Sequence, residues 1–338
     1  LVHGWVLVLL WHHIEELLRH KNTALVDSRV RFIRSIPFVF WISAPDSAEG
    51  IGSVADLLRL ELGSARLRSR QSVLEKAQET RSRLFRFGTG KEVPFPSGAD
   101  LDELRIALLE SEARSRDTSS ISQLESLKVP QVTIAEISRM HHRGPASVRR
   151  KFEDMRGEIK AELSLRGDER IDDTNAVASA FLRDVYESWP TPKEGDDPLD
   201  AMLSSLDLTL ADVDMSWTLA ELSEHATFIH QIRSVIDTAE IKSDELRNID
   251  VRKIPSSLIQ RSIRRHRPLA NRARGGDLND MYILSFAPYV DRTYVDKRTY
   301  DILQRAVKHD PSVGDLTTSV CKSTDPLKIF EELCGRSN

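Results

Sequence analysis

The sequence predicts an α/β protein, a parallel sheet flanked by helices and interrupted by a large helical insertion. Two observations carry this. Strand-like apolar runs stand near the start (Gly4–Leu10 and Ser35–Ile42), and a β-branched and aromatic run ending on Asp296 stands near the end. Between them no stretch shows a strong period-2 alternation, while helical spacing recurs throughout. Sparse aromatics, 6% of the 338 residues, also lean the composition toward helix.

In chain order, residues 1–43 read strand, helix, helix, strand. The first helix opens at Trp11 and ends near Lys21-Asn22. The second runs through Val26–Arg34 with Val26, Val30 and Ile33 on one face. From Val54 to about Phe87 the period is helical, with Leu57, Leu58, Leu60 and Leu62 forming an apolar side among many arginines. Gly88–Gly98 is a loop of three Gly and two Pro, and Asp100–Arg116 a helix whose acidic first turn suits its dipole. Val129–Ile134 is either extended or a helix entry. Helical patterns follow at 145–167 and 171–189, the latter ended by Trp189-Pro190-Thr191-Pro192, then at 199–212 and 215–247. A connection this long, with its own secondary structure, reads as a subdomain. The expected organisation is therefore 1–60 as the first part of the core, 61–250 as a helical insertion, 251–315 as the second part, and 316–338 as a tail.

Charged residues make up 30% and apolar residues 40%, as in ordinary globular chains. A net charge of −4 excludes a generally basic coat, so any nucleic-acid contact must come from local patches. Cys321 and Cys334 form no disulfide or metal framework, which makes a reducing cytoplasm the default. The apolar run Val6–Trp11 is far shorter than the roughly 20 residues that span a bilayer, so no membrane partner is expected.

The chemistry concentrates near the end. Asp280 falls in the first turn of a short helix, and Asp296 at the C-terminal end of a strand, where α/β sheets collect ligands. Two acids delivered there begin a site for a hard divalent cation. Asp277 is a further candidate acid and competes with Asn279 for the helix cap. Asp291 reads as a solvated edge residue. His12, His13 and His20 surround Glu15 and Glu16, but the zinc signature H-E-x-x-H is absent, so these histidines read as packing groups or supports for an acid. No G-x-S-x-G elbow is present. Gln260–Arg267 carries Arg261, Arg264, Arg265 and Arg267, and Arg272 and Arg274 follow. Cations of this density supply phosphate contacts, against the bland alternative of a solvated helix face. Lys297 and Arg298, directly after Asp296, are further phosphate candidates.

These segments resemble the PIN-domain nucleases. Asp280-x-x-Ile283-x-x-x-Ala287 matches the helix-opening D-x-x-I-A-A-x-A pattern, Tyr294-Val295-Asp296 lies where the strand-closing T-x-D/N falls, and Glu16-Leu17-Leu18 fits the acid-Leu-Leu after the second strand. The larger arrangement, Trp11-His12-His13-x-Glu15-Glu16-Leu17-x-x-His20 early and Ala287-Pro288-Tyr289-x-Asp291-x-Thr293-x-Val295-Asp296-Lys297-Arg298-Thr299 late, is similar to that of bacterial PIN-like proteins. The resemblance covers roughly residues 1–60 and 250–310. It implies one parallel sheet uniting both ends of the chain, and Glu16, Asp280 and Asp296 as ligands for Mg²⁺ or Mn²⁺. It also implies hydrolysis of a phosphodiester in RNA rather than single-stranded DNA, with Glu15 facing solvent. The insertion would restrict access or bind a protein partner. PIN domains open with a strand bearing a first aspartate ahead of the strand that holds Trp5, so an additional N-terminal segment carrying an aspartate close to Asp280 is expected. The alternative is a non-catalytic helical interaction protein with a degenerate PIN core. RNA turnover, a growth-arresting toxin and phage defence all fit the resemblance equally.

Overall fold

The structure, a computed structural model, describes residues 4–20, 22–44, 47–67, 71–92, 103–110, 133–138, 154, 156–161, 163–165, 171–180, 198–206, 208–239, 249–250, 253–266, 277–323 and 325–333. The chain divides into two compact units. One comprises Leu1–Glu112, Gln231–Arg267 and Gly276–Asn338, the other Ala113–His230 and Pro268–Gly275. Among the described residues the fold is predominantly helical, with a few short strands in two small sheets.

In the first unit, strand β1 (Leu7–Leu9) pairs in parallel with β2 (Val39–Ala44), Leu7 opposite Val39 and Leu9 opposite Trp41. Parallel neighbours need a crossover, here helices α1 (Trp11–Leu18) and α2 (Thr23–Ser35). Asn22 caps α2 by accepting the Leu25 N–H at 3.1 Å, and Val26, Val30 and Ile33 are its buried residues, as their spacing predicts. The guanidinium of Arg105 donates to the Leu18 and His20 carbonyls at 3.2 and 2.9 Å, satisfying the end of α1.

The sheet is not purely parallel. β2 pairs antiparallel with β3 (Ser47–Ile51), a stretch that sequence reading leaves unassigned, and with β4 (Phe85–Gly88), where it places a helix end and a loop. The Phe40 ring meets those of Phe85 and Phe87 at 5.9 and 5.6 Å, a cross-strand aromatic set that favours the pairing. Beyond β4, Gly90 donates its N–H to the Ile36 carbonyl at 2.9 Å. A Cβ there would lie 1.7 Å from the Ile33 carbonyl oxygen, so only glycine permits the approach.

The expected single sheet joining both chain ends is not what forms. β5 (Thr293–Val295) pairs in parallel with β6 (Val320–Lys322), and among the described residues these two strands make a separate sheet. The segment read as a tail thus supplies the partner of β5, reached through helices α7 (Lys297–His309) and α8 (Pro311–Leu316). What unites the ends is side-chain burial. Leu10 and Ile42 share one hydrophobic cluster with Ile259, Leu284, Tyr289 and Leu303.

The same cluster takes Leu57 and Leu60 from α3 (Val54–Leu67) and Ala77 and Leu84 from α4 (Val73–Leu84). The apolar side read at 57–62 therefore packs into the first unit, and the insertion expected over 61–250 narrows to the second unit. Between these helices Glu61 is buried. It accepts the Ser256 N–H at 2.8 Å at the start of α5 (Pro255–His266), and close hydrogen bonds join it to the Ser256 and Tyr289 hydroxyls. Burial pushes its carboxyl up to about 7 against those hydrogen bonds.

The second unit is helical where described. Ile134, Leu199, Leu203, Leu208, Leu222 and Ala226 form its main cluster, drawn from the helices Ile134–Ser138, Pro198–Ser205 and the early turns of Leu219–Ala239. A capping box opens the last of these: Thr218 N–H donates to Glu221 at 3.0 Å, and Glu221 N–H to the Thr218 hydroxyl at 3.3 Å. Much of the 145–189 helical reading lies outside the described residues. Among the described residues no helix is long and apolar enough to cross a membrane.

Candidate functional site

Helix α6 (Asp277–Leu284) packs against both α1 and α7, which brings the early and late acids into one neighbourhood of the first unit. Asp280, half-buried in the first half of α6, is the focus. Its pKa is raised to about 6, first by burial, then by the charges of Asp296 and Glu16. The Thr299 hydroxyl, donating to Asp280 Oδ2 at 3.3 Å, and the Arg298 charge oppose that rise without cancelling it.

Asp296 follows β5 directly, as its spacing predicts, and also caps α7 by accepting the Thr299 N–H at 2.6 Å. Thr299 therefore touches both aspartates. Sequence reading missed it, although Asp-x-x-Thr at a strand-to-helix junction is a capping signal. Glu16 is exposed on α1, and its charge reaches Asp280. Asp277 is the first residue of α6.

Glu15 departs from its reading as a solvated neighbour. Its side chain is only 12% exposed, paired with His12 Nδ1 at 3.0 Å and Arg19 at 2.5 Å. The partners sit three residues before and four after, the spacing that meets on a helix face. His12 supports Glu15, not Glu16. Its Nε2 accepts the Val54 N–H at 3.4 Å, so the proton sits on Nδ1 and is donated to Glu15. The His12 ring also lies 4.9 Å from that of Tyr282, two residues beyond Asp280, which ties α1 to α6. His13 takes the Leu10 N–H at 3.4 Å, and burial together with His12 pushes its pKa down to about 4.

The cationic candidates divide. Helix α5 buries Leu258, Ile259 and Ile263, leaving Arg261 half-buried and Arg264 and Arg265 exposed. The Arg264 charge reaches Tyr282. Lys297 is exposed and Arg298 half-buried at the start of α7. Arg267, Arg272 and Arg274 lie outside the described residues. Asp291 is exposed, as read, and pairs with Arg81 at 2.8 Å.

Among the described residues no three His, Cys, Asp or Glu side chains stand as a closed ligand group. The donor chemistry fits a hard dication all the same. Burial first, and then the charges of Asp296 and Glu16, raise the Asp280 pKa to about 6, and Mg²⁺ needs only one or two carboxylates because it retains several waters. No family model, curated protein or solved structure matches the chain.

Proposed function

We propose that the protein is a metal-dependent nuclease of PIN-like type that hydrolyses a phosphodiester, in RNA rather than single-stranded DNA, within a reducing cytoplasm. The observation that carries the reading is that Asp280, its pKa raised first by burial, also feels the charges of Asp296 and of Glu16, the latter more than 260 residues away in sequence. Perturbation by burial plus specific charge partners is a mark of functional acids. Asp280 and Asp296 would hold Mg²⁺ or Mn²⁺, with Glu16 completing the negative field. The bound ion supplies Lewis-acid polarisation of the phosphate and acidifies water at the site. Thr299 orients the two aspartates. Arg264 and Arg265, with Lys297, draw in and position the strand, offsetting the repulsion that bare acids exert on phosphate. Above pH 6 Asp280 is ionised and competent to bind the cation.

A second reading, a non-catalytic interaction protein with a degenerate core, draws on Asp296 already serving as the cap of α7. Incubation of labelled RNA and single-stranded DNA with Mg²⁺ or Mn²⁺ separates the two. The nuclease reading expects cleavage that stops with EDTA and is lost in Asp280→Asn and Asp296→Asn. Cleavage unchanged in both variants would show that other groups do the chemistry, and binding without cleavage would favour the second reading.

A further inference from the structure

The C-terminal turns of α5 and α7 meet at a pair of histidines that the acidic site does not use. His266 and His309 stack with ring centroids 4.7 Å apart and planes 9° from parallel. His266 is half-buried, and its Nδ1 lies 2.9 Å from the Ser262 carbonyl, an acceptor only, so Nδ1 carries the proton and the ring is held flat in place. His309 is exposed. His266 covers one face of its ring. Around the pair stand exposed cations, Arg264 and Arg265 on α5 and Arg305 and Lys308 on α7. The adjacent acid, Asp310, is engaged in accepting the Ser312 N–H at 3.2 Å as the cap of α8.

A flat ring backed by a fixed second ring and set among cations has the composition of a stacking platform for an unpaired base, with phosphates on either side met by Arg and Lys. A metal ion is disfavoured at the same place by the surrounding positive charge. We propose that the His266–His309 stack, with Arg265 and Lys308, is a base-stacking subsite for single-stranded nucleic acid, which confers preference for an unpaired strand over a duplex. This rests on the nuclease reading and extends it, since α7 links the platform to Asp296 at its other end and α5 carries Arg264 toward Tyr282.

The test is fluorescence-anisotropy binding of the full chain in EDTA, which silences cleavage, to a labelled 12-nucleotide RNA, the DNA of the same sequence, and the RNA duplex, across a series of salt concentrations. His309→Ala is expected to weaken single-strand binding at least about fivefold with little change in salt slope, because stacking releases no counterions. It should leave duplex binding unaltered, and His309→Phe should restore the affinity. Lys308→Ala with Arg265→Ala should instead flatten the salt slope. Comparable effects on RNA and DNA would place recognition on the base face, and a loss confined to RNA would add a 2′-hydroxyl contact to the same subsite. The proposal is overturned if the unmodified protein binds no single strand, if His309→Ala stays within twofold, if it weakens duplex binding equally, or if Phe fails to restore. Because cleavage plays no part, His309-dependent binding by a protein that never cuts would retain the platform and discard the nuclease, and the converse result would do the reverse.

Discussion

Asp280 and Asp296 are joined through a single threonine: the Thr299 hydroxyl donates to Asp280 Oδ2 at 3.3 Å while its N–H donates to Asp296 Oδ1 at 2.6 Å. One residue of α7 thus sets the spacing of two acids from different elements, and it does so at the helix N-terminus, where negative charge is favoured. The arrangement gives Asp296 two roles, helix cap and ligand candidate, and makes Asp280 the acid whose ionisation responds to its surroundings.

Thr299→Val removes the hydroxyl donor to Asp280 and retains the N–H to Asp296. A hydrogen bond to the ionised form lowers a carboxyl pKa, so Asp280 in the variant should hold its proton to higher pH. Cleavage at pH 6 is expected to fall about three- to tenfold, with a smaller loss at pH 8. A pH–rate profile reads this directly. A uniform loss at every pH would mean that Thr299 acts only on the fold.

Cation binding should depend on pH in the same way. Asp280 titrates near 6 in the folded protein, and its charged form is the one that binds. Mg²⁺ or Mn²⁺ should therefore raise the melting temperature at pH 7.5 and have little effect at pH 5. Asp280→Asn and Asp296→Asn should both abolish the shift. An equal shift at the two pH values, or one that survives both variants, would locate the binding elsewhere.

Stability itself should pass through an optimum. The Glu61 carboxyl is raised from 4.5 to about 7, so its contribution is fully present below 4.5 and is lost as pH rises through 7. His13 is lowered from 6.5 to about 4, so its contribution is present above 6.5 and is lost as pH falls through 4. Each amounts to about 3 kcal/mol at its limit. Between pH 4.5 and 6.5 the two changes oppose one another, so Glu61→Gln, which keeps the shape and cannot ionise, should make the slope of stability against pH more positive between 4.5 and 7 in urea denaturation. An unchanged slope would show that Glu61 is not the group responsible.

Arg105→Ala leaves the Leu18 and His20 carbonyls without their donor and should cost about 1–3 kcal/mol in chemical denaturation. Since α1 carries Glu16, the same change should weaken Mg²⁺ binding. Full retention of both properties would remove Arg105 from the account.

Much of the first unit was legible in the sequence for local reasons. Val26, Val30 and Ile33 declare the buried side of α2 by spacing alone, and the apolar run through Leu9 and the Val39–Ile42 run mark the two parallel strands. The places of Asp280 early in a helix and Asp296 just after a strand were legible from the residues around them. The remainder depends on partners distant in sequence. β6 is three residues long, too short to carry a period, and the sheet it forms with β5 exists only through their mutual hydrogen bonds. β4 continues directly from α4, so a helical pattern masks its start. Glu61 looks like a surface acid among charged neighbours until Ser256 and Tyr289, some 200 residues away, close around it. The exchange of Glu15 for Glu16 as the held acid was readable in principle, from His12 and Arg19 at helical spacing.

The central claim is that Glu16, Asp280 and Asp296 form one electrostatic site, and titration of the Asp280 carboxyl by carbon-detected NMR tests it most directly. A pKa near 6 is expected in the unmodified protein. A lower value is expected in Asp296→Asn and, by a smaller step, in Glu16→Gln, with a marked lowering when Mg²⁺ is present. A carboxyl that titrates in the ordinary range and responds to neither substitution would contradict the shared site and, with it, the proposed chemistry.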